Sequence, residues 1–107
     1  MATLLAHIRV RPGRERDFED VIRPLYAATH ALEPNCRRYE YWRGAEPRSY
    51  YCLLSFRDFV GFMEHQASPH HESPDFAALL EHIRLEWVDP VQGASDLAPT
   101  DAQPLPA

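Results

Sequence analysis

The densest group of ionisable side chains in this sequence is a histidine-rich segment near residue 70. Residues 65–75 include three histidines and two carboxylates: His65, His70, His71, Glu72 and Asp75. An imidazole titrates near neutral pH, so a histidine beside a water-poor pocket can take a proton from a phenol or an activated carbon. The segment is therefore a candidate for general base catalysis.

The same segment lacks the spacing typical of a metal site. Helical metal ligands are commonly four residues apart, and Pro69 and Pro74 interrupt any helix that would align these histidines. We therefore expect no metal site within one chain. An ion bridging two subunits is the one arrangement that the spacing leaves open.

Composition excludes several classes of protein. The 107 residues fit one domain, and the net charge of -5, without a basic patch, argues against nucleic acid or an anionic membrane as partner. No apolar run approaches the roughly 20 residues of a membrane span, and the first residues lack a signal-peptide pattern. Cys36 and Cys52 do not form a CxxC pair, so no disulfide framework is indicated. We expect a reduced, cytoplasmic setting.

Hydrophobic periodicity predicts the elements that must position these side chains. Residues 3–10 and the segments 36–43 and 49–56 are typical of strands, the last two joined by a turn at 44–47 as an antiparallel hairpin. Apolar residues at three- and four-residue steps predict helices. In chain order the elements are strand 3–10, helix 14–32, strands 36–43 and 49–56, helical segments 57–66 and 75–82, and strand 83–91.

This order predicts an α+β fold of the ferredoxin-like β-α-β-β-α-β type, with a four-stranded antiparallel sheet and helices on one face. The other face also carries apolar side chains, and a chain this small has little left to cover it. Burial of such a face against a second copy is favourable, so we expect a homodimer packed sheet to sheet. We assign residues 1–92 to this domain and expect 93–107 to form a disordered tail with no chemical role.

Four segments, in this order along the chain, resemble the antibiotic biosynthesis monooxygenase family of the dimeric α/β-barrel superfamily, over about residues 3–91. They are Ile8-Arg9-Val10-Arg11-Pro12-Gly13, Ile22-Arg23-Pro24-Leu25-Tyr26-Ala27-Ala28-Thr29, Glu33-Pro34-Asn35-Cys36-Arg37-Arg38-Tyr39-Glu40 and His65-Gln66-Ala67-Ser68-Pro69-His70.

The resemblance implies cofactor-free oxygenation of a quinol- or anthrone-type aromatic, which some members of the family perform. It places the histidine-rich segment beside the pocket between helices and sheet, so we take His65 and His70 as catalytic candidates and expect His71 to be solvated. The candidate substrate-binding residues are His7, Tyr39, Trp42, Tyr51, Leu54, Phe56 and Phe62.

Two features of the sequence keep other functions open. Where the family usually has Glu-x-Trp, this chain reads Leu54-Ser55-Phe56, which predicts a more apolar pocket. Asp75 stands where haem-degrading relatives have their axial histidine, so haem degradation is not expected. The alternatives are a proton-transfer isomerase or cyclase on the same scaffold, and a dimer that binds a small ligand without catalysis.

Overall fold

Four strands and four helical segments make up the fold within residues 1–100, the part of the chain that the computed structural model describes. The elements are β1 Ala2–Val10, α1 Glu15–Leu32, β2 Cys36–Arg43, β3 Ser49–Phe56, α2 Phe59–Ala67, α3 Pro69–Glu72, α4 Phe76–Leu79 and β4 Leu80–Trp87. The sheet has the order β2-β3-β1-β4, and every neighbouring pair is antiparallel. This confirms the predicted ferredoxin-like α+β fold, with helices on one face. No helix within residues 1–100 is long and apolar enough to cross a membrane.

Alternation along each strand divides the sheet into two unlike faces. In β1, Leu4 and Ile8 face the helices and are buried, whereas His7 points to the opposite face, which we call the open face. The register pairs Leu4 with Leu54, so the even-numbered residues of β3 share the helix-facing side. The hydrophobic core therefore lies between the helices and this side of the sheet.

Helix α1 closes the core with one apolar stripe. Phe18, Ile22, Leu25 and Thr29 follow at three- and four-residue steps and are buried, as the periodicity predicts. The helix continues through Pro24, which is exposed, and ends at Leu32. Glu33 then takes an extended conformation just before Pro34, which disfavours helix in the residue before it. Glu33 therefore lies directly after the last residue of α1, at the point where the chain leaves the helix.

The end of the chain differs from the predicted boundaries. The helix expected over 75–82 spans only Phe76–Leu79, and β4 runs from Leu80 to Trp87 rather than from 83 to 91. The cause is pairing with β1, in which Val10 pairs with Leu80 and Arg9 with His82 across an irregularity in the register. Pairing to a central strand outweighs a short helical periodicity.

Residues 93–100 form neither helix nor strand, but they contact the domain. Asp96 accepts hydrogen bonds from Arg38 at 3.1 and 3.2 Å, and Thr100 donates from its hydroxyl to the carbonyl of Val88. Arg38 belongs to the row of the open face that includes Thr3 and Ser55, both buried. This segment therefore lies at one end of the open face. The rest of the predicted disordered tail, residues 101–107, lies outside the described residues.

Candidate active site

A cavity of about 460 Å³ lies between the sheet and the helical segments α2 to α4. Its walls are mostly apolar, with polar groups from a few histidine, tyrosine, glutamine and cysteine side chains. The lining residues are Ala6, Ile8, Phe18, Tyr39, Tyr41, Cys52, Leu54, His65, Gln66, His71, Phe76, Leu80, Ile83 and Leu85. An apolar pocket with a few polar groups is typical of small-molecule sites.

Helix α2 brings His65 to this cavity. Asp58 caps the helix by accepting a hydrogen bond from the amide of Gly61 at 2.8 Å. A Cβ at Gly61 would lie 3.0 Å from Cβ of Asn35 and 3.3 Å from Cβ of Phe56, so the glycine lets α2 pack closely here. His65, in the last turn, is 1 % exposed. Its ring lies 5.0 Å from that of Tyr39 and 5.2 Å from that of Phe56, centroid to centroid.

Glu33 orients the His65 ring. Nδ1 of His65 lies 2.9 Å from Oε2 and 3.1 Å from Oε1 of Glu33. An ionised carboxylate only accepts hydrogen bonds, so the hydrogen in this contact belongs to Nδ1. A neutral His65 then has its lone pair on Nε2, which makes no hydrogen bond within residues 1–100. The cavity is therefore lined by an imidazole with one nitrogen fixed by a carboxylate and the other available to a ligand.

Burial keeps His65 in its neutral form. Desolvation lowers the pKa of His65, and the hydrogen bond from Nδ1 to Glu33 only partly opposes this shift. A neutral imidazole is the form that can accept a proton.

His70 occupies the other side of Glu33. Pro69 begins the short helix α3 directly after Ser68, which donates from its hydroxyl to the carbonyl of His65 at 2.7 Å. The turn brings Nε2 of His70 into a short hydrogen bond with Oε2 of Glu33. His70 and Glu33 line a separate depression of about 290 Å³. The two predicted catalytic histidines thus share a carboxylate, but within the described residues only His65 lines the main cavity.

His71, rather than the predicted His70, lines the cavity together with His65. It is half-buried, so the expectation that it is solvated is wrong. Its ring lies 4.7 Å from that of His65, and burial lowers its pKa. No sequence pattern predicts this exchange of His70 and His71, because the conformation of a short turn decides which of two adjacent side chains points inward.

Two tyrosines, Tyr39 and Tyr41, also line the cavity and supply hydroxyl groups. The hydroxyls of Tyr39 and Tyr41 are 2.6 Å apart, and burial raises the pKa of both well above the usual value. Both therefore remain neutral phenols. One hydroxyl proton satisfies the pair, which leaves the other for Cys52 or a bound ligand. Burial also raises the pKa of Cys52 to about 12, so its thiol stays protonated.

The seven predicted substrate-binding residues fall into three groups. Tyr39 and Leu54 line the cavity, whereas Phe56 and Phe62 are buried together in the core, 5.9 Å apart, with Phe56 against the His65 ring. The other three, His7, Trp42 and Tyr51, do not line this cavity.

The sheet separates those three residues from the cavity. His7 and Tyr51 pair across β1 and β3 on the open face, where they line a different depression of about 360 Å³. Nε2 of His7 bonds to Glu86 at 2.9 Å, and Trp42 is 59 % exposed. His7 and Tyr51 face away from this cavity because odd positions of β1 and β3 point away from the helices, and Trp42 pairs with Tyr51 on the same face. The substrate-binding role of these three residues stays a prediction.

Comparison with known proteins identifies the family. Residues 1–73 match the sequence model of the antibiotic biosynthesis monooxygenase family. The match includes Glu33 and all three histidines of the site. The chain belongs to this family, as the resemblance indicated. A search of curated proteins found no significant match.

Solved structures share the fold over nearly the whole domain. A Pseudomonas aeruginosa protein is 25 % identical, with a TM-score of 0.76 over 84 % of this chain and 93 % of its own. A Mycobacterium tuberculosis protein is 21 % identical, with a TM-score of 0.78 over 88 % and 98 %. A Caulobacter crescentus protein, provisionally described as an antibiotic biosynthesis monooxygenase, is 23 % identical, with a TM-score of 0.77 over 85 % and 90 %.

Proposed function

We propose that the protein is a cofactor-independent monooxygenase that oxidises a quinol- or anthrone-type aromatic in the cavity between helices and sheet. The observation that carries the proposal is the His65 ring, which Glu33 fixes through Nδ1 while the ring lines an apolar cavity. The family match supports oxygenation as the class of reaction.

The chemistry begins with proton transfer. Nε2 of His65 takes a proton from the acidic carbon of an anthrone, and Glu33 stabilises the imidazolium that forms. The carbanion passes one electron to dioxygen, and the resulting radical combines with superoxide to form a carbon–oxygen bond. Protonation of the peroxide by His65 and loss of the second hydrogen of that carbon break the oxygen–oxygen bond. The products are a ketone and one water molecule, so one substrate and one dioxygen are consumed.

The rest of the cavity suits an anion of an aromatic substrate. A hydroxyl of the Tyr39–Tyr41 pair can donate to the developing oxyanion, which is worth most where water is excluded. Leu54 and Phe18 supply apolar walls for flat rings. Of the segment Leu54-Ser55-Phe56, Leu54 is the residue that lines this cavity.

Oxygen uptake with a tricyclic anthrone tests the proposal. We expect uptake above the autoxidation rate, one oxygen atom retained in the product, and a loss of roughly 10²–10⁴-fold in kcat for His65→Gln. His30→Gln is the matched control, because His30 is exposed on α1. Uptake that equals autoxidation for the wild type, or that is unchanged in His65→Gln, would contradict the proposal.

The same base could also serve an isomerase or cyclase. A histidine that Glu33 orients can take a proton from one substrate carbon and return it to another, and this transfer needs no dioxygen. Turnover of an enolisable substrate under strict anaerobiosis would favour this alternative. Tight binding of aromatics that is unaffected by His65→Gln, without any turnover, would instead favour a ligand-binding protein.

We further propose that two copies pack through their open faces. Leu5 and Leu53 are half-buried on this face, and Tyr51 and Trp42 are exposed beside them. A contiguous apolar patch on a sheet is favourably buried against a partner. Within residues 1–100, segment 93–100 makes hydrogen bonds with Arg38, Met1, Val88 and Asp89, whereas Tyr51 and Trp42 on the open face are exposed.

A further inference from the structure

We propose that Glu33, His65 and His70 also bind a divalent transition-metal ion such as Zn²⁺, and that an ion bound there switches off the base at His65. The binding half of this inference depends on geometry alone. The inhibition half rests on the proposed function.

The three side chains already converge on one point. One donor atom from each lies within 4.8 Å of the other two, and Oε2 of Glu33 contacts both imidazoles. Zinc binds nitrogen and oxygen ligands at about 2.0–2.2 Å, which sets tetrahedral donors roughly 3.3 Å apart. The 2.9 Å contact of Glu33 with His65 and the limit of 4.8 Å between any two donors bracket that spacing.

The donor set selects the kind of ion. Two imidazoles and one carboxylate suit zinc and other first-row transition metals, whereas magnesium and calcium prefer oxygen ligands. The side chains are 11 % exposed for Glu33, 1 % for His65 and 15 % for His70. Burial limits the motion of these side chains. Each is also held by a different element, Glu33 by the end of α1, His65 by α2 and His70 by α3.

An ion has a route to the cluster that avoids the substrate cavity. Glu33 and His70 line the 290 Å³ depression on the outer side, together with Glu64 and Ser68. This depression has room for a water molecule as a further ligand, as in metal sites with three protein ligands. His65 is the only one of the three that also lines the cavity. The ion and the substrate would therefore reach opposite sides of the same ring.

Binding of the ion has a direct consequence for the base. An ion on Nδ1 displaces the hydrogen that Glu33 now receives. The neutral imidazole then keeps its one hydrogen on Nε2, so this nitrogen becomes a hydrogen-bond donor. A substrate proton can no longer be accepted there. The metal-free protein would be the active form and the metal-bound protein the inactive one.

Zinc titration of the tag-free protein by calorimetry tests the binding half, with the visible absorption of added Co²⁺ as a second readout. We expect one ion per chain, and binding weakened roughly 10–100-fold or more in both Glu33→Gln and His70→Ala. Glu81→Gln and His30→Ala, at exposed positions outside this depression, are controls, and circular dichroism checks that every variant is folded. No binding by the folded wild type, or binding that Glu33→Gln and His70→Ala leave unchanged, would overturn the site.

Inhibition is tested separately with the oxygen-uptake assay. We expect Zn²⁺ to abolish uptake at one equivalent, a chelator to restore it, and His70→Ala to shift half-inhibition to at least roughly tenfold higher Zn²⁺. Ion binding without any change in uptake would overturn the switch. Ion binding in a protein that never turns over an anthrone would support the site while removing the proposed function, so the two failures are distinguishable.

Discussion

Oε2 of Glu33 lies 2.9 Å from Nδ1 of His65, and this contact joins the end of α1 to the last turn of α2. The two residues are 32 positions apart in the chain. The contact selects the tautomer of a nearly fully buried imidazole, and it therefore decides which nitrogen a ligand in the cavity meets.

Replacement of Glu33 by Gln tests this relationship. The amide keeps the size of the side chain but loses the charge that stabilises an imidazolium, so we expect kcat for anthrone oxidation to fall by roughly 10²-fold or more. Initial rates of oxygen uptake at saturating substrate measure the effect. The control is Glu64→Gln, an exposed carboxylate on α2, which should keep the wild-type rate. Equal rates for Glu33→Gln and the wild type would show that the pair does not assist the base.

Leu54 supplies an apolar wall of the cavity. It is 4 % exposed and lines the wall on β3, so Leu54→Phe should place a ring in the space that a substrate needs. We expect affinity for a tricyclic aromatic to fall at least about tenfold, measured by quenching of tryptophan fluorescence.

Leu32→Phe is the control for this change, because Leu32 is 68 % exposed at the end of α1. A thermal unfolding midpoint for each variant separates a filled cavity from a destabilised core. Unchanged affinity in a folded Leu54→Phe protein would mean that the ligand binds elsewhere.

The contacts of Glu19 predict that the free energy of unfolding depends on pH. Its carboxylate accepts hydrogen bonds from Arg43 at 2.6 and 2.9 Å and from the hydroxyl of Tyr50 at 2.5 Å. The hydrogen bond from Arg43, followed by that from Tyr50, lowers the pKa of Glu19 from 4.5 to about 2. A lowered folded-state pKa adds stability above the unfolded pKa, and this stability is lost as pH falls from about 4.5 towards 2.

Urea unfolding at pH 7, 4 and 3 measures this dependence. We expect the free energy of unfolding of the wild type to fall with acid more steeply than that of Glu19→Gln, which has no carboxyl group to protonate. Asp20→Asn removes an exposed carboxylate from the same helix and should keep the wild-type slope. Parallel slopes for wild type and Glu19→Gln would show that the Arg43 and Tyr50 contacts do not stabilise the fold.

Leu53 reports on the proposed dimer. It points to the open face and is half-buried, so Leu53→Asp would place a charge in a sheet-to-sheet contact. We expect light scattering to give twice the 12.4 kDa chain mass for the wild type and the single mass for this variant. Leu32→Asp on α1 should remain dimeric. A monomeric wild type would exclude the proposed dimer, and a dimeric Leu53→Asp protein would place the contact on another surface.

The sequence determined the local elements and the faces of the sheet. Alternation fixes which side of β3 carries Tyr50, Cys52, Leu54 and Phe56, and a 3.6-residue period fixes the stripe of α1 that begins at Phe18. Both patterns reflect backbone geometry over a few residues, so they can be read without knowing the rest of the fold. The order of the predicted elements then indicated the β-α-β-β-α-β plan.

Only the tertiary structure decided the composition of the site. No sequence pattern around Glu33 predicts a role in the site. Glu33 lies at the end of a helix, and it contacts His65 only because α2 packs against the loop at Asn35. The choice of His71 over His70 for the cavity depends on a short turn after Ser68, and the start of β4 depends on pairing with β1. Contacts between distant segments depend on how whole elements pack together, and no periodicity along the chain records that packing.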